Sequence, residues 1–89
     1  MKVVINRSFG GFSLSEKACE ILNCDRYDYC AYNRRTSHEL IAVIESIGTD
    51  NASGDFADLK IVEIPNDVEY DIENYDGMEK VVEVHREWF

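Results

Sequence analysis

Residues 68–74 read VEYDIEN, a strict alternation of Val68, Tyr70 and Ile72 against Glu69, Asp71 and Glu73. A period of two lets a chain bury one face and solvate the other only as a β-strand. Tyr75-Asp76-Gly77 then supplies hairpin chemistry. A returning strand over 78–86 is expected to place Val82 and Val84 on one face. Glu79, Val81, Glu83 and His85 fall on the other, and Trp88, sharing the parity of Val84, is expected to close one end of the core.

With that hairpin in place, the rest of the chain sorts around it. Lys2–Asn6 (KVVIN) is short and β-branched, a strand buried on at least one face. Helical spacing of Leu14, Ala18, Ile21 and Leu22 predicts a helix over 15–23, with Ser13 and Glu16 as a capping box or Ser15 as the cap. Residues 24–35 (CDRYDYCAYNRR) fit a short strand or an extended loop. A second helix follows, with Thr36 and Glu39 as a capping box, Leu40, Ile41, Val43, Ile44 and Ile47 on its buried face, and Gly48 at its end. Residues 50–55 are turn chemistry. LKIVEI (59–64) has apolar residues on both faces and reads as a central strand, and Pro65 lies at its end. The order predicts a single α+β domain over 1–89, a mostly antiparallel sheet of three to five strands with two helices on one face.

Charge is distributed unevenly. Residues 1–48 carry six acids and six bases, whereas 49–89 carry twelve acids and three bases, so the whole net charge of −9 lies in the second half. Such a chain repels nucleic acid and anionic membranes and attracts basic protein surfaces. No apolar run approaches a membrane span and no signal peptide is visible, which suggests a cytoplasmic protein. Cys19, Cys24 and Cys30 are odd in number and lack any CxxC pairing, as expected for free thiols in a reducing compartment.

Four groups of residues could carry chemistry. The loop RSFGGFSLS places Gly10 and Gly11 between a strand and a helix start, with Arg7 beside it and Arg34 and Arg35 before the second helix. Backbone amides and guanidinium groups could there grip an anionic ligand. The loop matches neither a P-loop nor a dinucleotide fingerprint, however, and the simpler reading is a tight turn clamped into the core by Phe9 and Phe12.

Glu69, Asp71 and Glu73, about 6.5–7 Å apart along one strand face, with Glu79 and Glu83 on the neighbouring strand, could instead meet a basic partner. A solvated face is the plainer alternative. His85 with Glu79, Glu83 and Asp76 is too sparse for a metal or acid–base site, and a His–carboxylate pair steadying the hairpin is expected. Tyr27, Tyr29 and Tyr32 beside Arg26, Arg34 and Arg35 form a basic aromatic cluster suited to a protein surface or to stacked bases.

Three stretches, KVVINRSFGGFSLSEKA, LKIVEIPNDVEY and ENYDGMEKVVEVHREW, together resemble a family of small bacteriophage and prophage proteins generally carried as conserved hypothetical proteins. The matching positions are Gly10, Gly11, Phe12, Leu14 and Ser15, and then Tyr75, Asp76, Gly77, Glu79, Glu83, His85, Arg86 and Trp88. RRTSHELIAVIESIG resembles it too, with Ser37-His38 where the family tends to have aspartate and proline. The resemblance implies a phage or prophage gene expressed in a bacterial cell, and it carries over no activity or cofactor.

The expectation is a non-enzymatic accessory protein, without a cofactor, that binds and inhibits a host protein with a basic surface. Its contact face would be the acidic hairpin. The alternative is sequestration of an anionic nucleotide signal by the glycine loop and its arginines. The hairpin and the 24–35 loop also offer edges for self-association.

Overall fold

The structure, a computed structural model, describes residues 1–84. The chain runs β1 (Lys2–Asn6), α1 (Glu16–Leu22), a 3₁₀ turn (Tyr32–Arg34), α2 (His38–Ile47), the short α3 (Thr49–Ala52), β2 (Leu59–Glu63), β3 (Tyr70–Tyr75) and β4 (Met78–Glu83). This is an α+β domain with four described strands. They form two antiparallel pairs, β1–β2 and β3–β4, rather than one sheet.

The two pairs and the helices make three layers, because β1 buries both of its faces. Val4 joins Leu59 and Ile61 of β2 in a cluster with Phe12, Leu14, Ala18, Leu40, Val43 and Ile44. Val3 and Ile5 turn the other way and pack with Val62, Ile64, Tyr70, Ile72 and Val81. LKIVEI is therefore apolar on both faces as expected. It is central between layers, not between lateral neighbours. Burying side chains such as Leu40 and Ile44, 0% and 1% exposed, stabilises by about 1.5–3 kcal/mol each.

Local chemistry explains the element ends. Ser15 caps α1, its Oγ accepting from the Ala18 amide at 3.1 Å, and Asn23 ends the helix in the left-handed region. Helix α2 begins one residue later than a Thr36–Glu39 capping box requires. Ser37 takes the cap position and its hydroxyl donates to the Glu39 carboxylate. Gly48 ends α2 at φ +88°, and residues 49–52 wind into α3 where turn chemistry alone was expected. Residues 24–35 form turns and a 3₁₀ turn, not a strand.

The hairpin turn is the two-residue Asp76-Gly77, at φ +51° and +96°, both signs demanded by a tight turn that follows the strand twist. It sets the register Ile72↔Val81 and Glu73↔Lys80. The face turned toward β1 thus holds Ile72, Val81 and Glu79, not Val82 and Val84 as the alternation in β4 suggested. Both parities of β4 carry valine, so the choice falls to the register, and Ile72 draws Val81 inward. The expectations for His85 and Trp88 lie outside the described residues.

Candidate interaction face and the buried ion pair

Arg35 has no exposure and Glu79 only 1%. The two form a bidentate pair, Nη1 to Oε1 at 2.6 Å and Nη2 to Oε2 at 2.9 Å. The remaining N–H groups of Arg35 donate to main-chain oxygens of Val4 (3.2 Å), Tyr29 (3.1 Å) and Cys30 (2.8 Å from Nη2). Its guanidinium carbon lies 3.8 Å from the centre of the Phe12 ring. A planar fork with five donors can meet all of these at once, which an ammonium cannot.

The pair closes the free edge of β1. Val3 and Ile5 bond toward β2, so Val4 and Asn6 turn their backbone groups to the opposite edge. There the Val4 amide donates to the Arg35 carbonyl (2.9 Å), the Val4 carbonyl accepts from the Arg35 guanidinium, and the Asn6 amide donates to Glu79 Oε1 (2.8 Å). One arginine and one carboxylate occupy the place of a neighbouring strand.

The three arginines expected beside the glycine loop are thereby accounted for. Arg35 and Arg7 do converge, but on Glu79: Arg35 on its carboxylate and Arg7 on its carbonyl oxygen, at 2.7 Å. Arg34 instead lies over the Tyr29 ring, 4.6 Å from its centre. The chain's own carboxylate thus occupies Arg35, and Arg35 is no ligand contact.

Gly10 serves close packing, whereas Gly11 is open around its Cβ position and supplies a positive φ of +86°. A Cβ on Gly10 would stand 2.1 Å from the Phe56 carbonyl oxygen, and one on Gly77 would stand 2.7 Å from the Gly11 nitrogen. The loop therefore receives the hairpin turn and the 54–57 loop instead of framing an anion cradle. Asn6, fully buried, ties the three segments together. Its Nδ2 donates to the Ser8 and Gly77 carbonyls at 2.8 and 2.7 Å, and its Oδ1 accepts from the Asp58 amide at 2.8 Å.

The acidic residues divide between faces. Glu69, Asp71 and Glu73 are exposed and share the outward face of the hairpin with Tyr75. On β4 that face carries Lys80 and Val82. Glu73 pairs loosely with Lys80 at 3.4 Å. Glu79 leaves the set because it is buried against Arg35, and Glu83, although exposed, has the opposite parity, facing Tyr70. The carboxylates thus form one row, running from Glu69 just ahead of β3 through Asp71 and Glu73, not two stacked rows. A groove of about 620 Å³ borders the turn end of the row, lined by Arg7, Glu73, Asn74, Tyr75, Met78 and Lys80.

Sequence reasoning missed the exposed aromatics. Phe12 is buried as expected, but Phe9 is 63% exposed, Tyr75 75% and Phe56 79%. The signal for Phe56 was its setting, SGDFAD, a phenylalanine between aspartates with no apolar periodicity.

Burial raises the pKa of both Cys19 and Cys24, the latter to about 11, with the neighbouring Cys19 thiol adding to the shift there. Cys30 is exposed. Among the described residues no three His, Cys, Asp or Glu side chains gather as a metal site, and no helix is long and apolar enough to cross a membrane.

No protein-family model, curated protein or solved structure matches the chain.

Proposed function

We propose that this chain is a non-enzymatic phage or prophage accessory protein that binds and inhibits a host protein in the bacterial cytoplasm. The contact face in this reading is the outward side of the β3–β4 hairpin. The observation that carries it is the exposed row Glu69, Asp71 and Glu73, on a strand whose fold is fixed from behind by Ile72. Strand alternation requires this face only to be polar, not to carry three carboxylates in succession, so the row is a feature that folding does not require. Combined with the net charge of −9, the row favours a partner with a basic surface and gives fast, salt-sensitive association.

The test is affinity capture from host lysate with the wild type and with E69K/D71K/E73K. The triple reversal abolishes capture of the partner if the row is the contact. Capture that survives the reversal at low salt would sink the proposal.

A further inference from the structure

Three loops meet at one end of the molecule, and each presents one aromatic side chain to solvent. The first is 8–11, with Phe9; the second 54–57, with Phe56; the third the hairpin turn, entered through Tyr75. Their association is close at the backbone. Ser8 Oγ donates to the Phe56 carbonyl at 2.5 Å, and Asn6 bridges Ser8 to Gly77. Gly10 lies against Phe56, and Gly77 lies against Gly11 and the Phe9 carbonyl. The loops are thus held by a buried asparagine and by glycine contacts that no side chain could replace.

Folding stability does not account for this arrangement. Solvating three large rings forfeits the burial that Phe12 achieves a few residues away. Aromatic residues on rigid loops are the usual anchors of protein–protein contacts, because they bring area with little conformational entropy to lose. Tyr75 also continues the outward row Glu69, Asp71 and Glu73, so one of the three aromatics lies on the acidic face itself and the loops that carry the other two meet at its turn end. Asp55 and Asp76, next in the chain to Phe56 and Tyr75, and Asp58, two residues beyond Phe56, are all exposed.

We infer that Phe9, Phe56 and Tyr75 are the anchor of the interaction surface, and that the partner protein presents an apolar hollow bordered by lysine or arginine. The inference rests on the reading of the acidic face given above and specifies where its affinity comes from. Charge selects the occupant. A second copy of this chain would bring acidic rims together, and an anionic membrane or a nucleic acid would meet the same repulsion. A basic rim on a protein is complementary to the aspartates, and an apolar hollow is complementary to the rings.

Three synthetic peptides of equal length serve as probes by fluorescence anisotropy: one repeating Lys-Trp-Lys-Leu, one of lysine and serine with the same charge, and one repeating Glu-Trp-Glu-Leu. Wild type is expected to bind the Lys-Trp-Lys-Leu peptide about tenfold or more tightly than the lysine–serine peptide, the gain of an anchoring contact. F9S/F56S/Y75S is expected to lose that gain while keeping wild-type circular dichroism and thermal midpoint. E69K/D71K/E73K is expected to weaken binding of both basic peptides.

Equal binding of the two basic peptides, or an aromatic variant that binds like wild type, overturns the anchor while leaving the acidic face intact. Binding of the Glu-Trp-Glu-Leu peptide as tightly as the lysine peptides overturns both. Sedimentation equilibrium decides the remaining occupant: a wild-type dimer that F9S/F56S/Y75S dissociates would make the surface a self-association site and overturn the heterologous partner.

Discussion

Arg35 and Glu79, 44 residues apart in sequence, meet through two parallel hydrogen bonds at 2.6 and 2.9 Å with both side chains withdrawn from water. Buried pairs of this kind add little over a well-packed apolar pair, yet they become costly when one partner is removed. Glu79→Gln is therefore expected to destabilise the fold by about 3–5 kcal/mol, a large share of the roughly 5–15 kcal/mol of a small domain. Arg35→Lys should be nearly as severe, because one ammonium cannot serve Glu79, Val4, Tyr29 and Cys30 together. The double variant R35M/E79L should cost less than either single change. Urea denaturation midpoints measure all three.

Asn6 offers a sharper test of the same edge. Its Nδ2 donates to two carbonyls, so Asn6→Asp would aim a carboxylate oxygen at carbonyl oxygens in a buried site. A loss of about 2–3 kcal/mol is expected, and acidification that protonates the new carboxyl should recover part of it. Thermal melts of the variant across pH 4–8 would show stability rising toward the acid side.

Gly77 and Gly11 separate conformational strain from crowding. Both have positive φ, +96° and +86°, but a Cβ on Gly11 meets nothing within 4 Å whereas one on Gly77 meets backbone. Gly11→Ala should cost about 1–2 kcal/mol, the left-handed penalty for a residue with Cβ, and Gly77→Ala measurably more. Equal losses in chemical denaturation would show that the hairpin turn does not bear on the 8–11 loop.

Much of this could be read from the chain, and the failures have physical reasons. VEYDIEN and Asp76-Gly77 specify a hairpin because period and turn chemistry agree, and Ser15 and Gly48 end their helices as expected. The face of β4 went astray because Val81 competes with Val82 and Val84. The turn resolves that competition, since a two-residue loop places Val81 opposite Ile72. Arg35 is next to Arg34 and chemically the same. Only a contact 44 residues away makes one an interior group and the other a surface group. Residues 24–35 lack a period because their backbone serves Arg35, through the carbonyls of Tyr29 and Cys30. For the acidic row, composition and alternation sufficed on β3 but not on β4, where Glu79 is buried and Glu83 has the opposite parity.

The thiols give a pH-dependent prediction. Cys24 is raised from 9.0 to about 11, and Cys19 is raised as well. The folded state therefore holds these protons more tightly than the unfolded chain. This contribution to stability is complete below the unfolded pKa near 9 and is lost as pH rises to about 11. C19S/C24S should flatten the alkaline limb of the stability profile over that window. At pH 8, iodoacetamide should label exposed Cys30 first, as read by peptide mass mapping.

The exposed pair Glu73–Lys80, at 3.4 Å, is expected to matter little to folding. Lys80→Ala should change stability by less than about 1 kcal/mol while making the outward face more negative. Its association with a lysine-rich probe should then accelerate, and the acceleration should fade as salt rises, as read by stopped-flow anisotropy.

The ion pair that closes β1 has a further consequence, for synthesis. Arg35 leaves the ribosome long before Glu79 does, so the nascent chain passes through a stage with a cation and an open strand edge but no carboxylate to cover them. Residues 1–64 contain both strands of the first pair and every described helix, yet they cannot complete this site. Closure of this edge is thereby made contingent on the β3–β4 hairpin, and a product cut short before residue 79 would carry an exposed β1 edge open to aggregation and proteolysis.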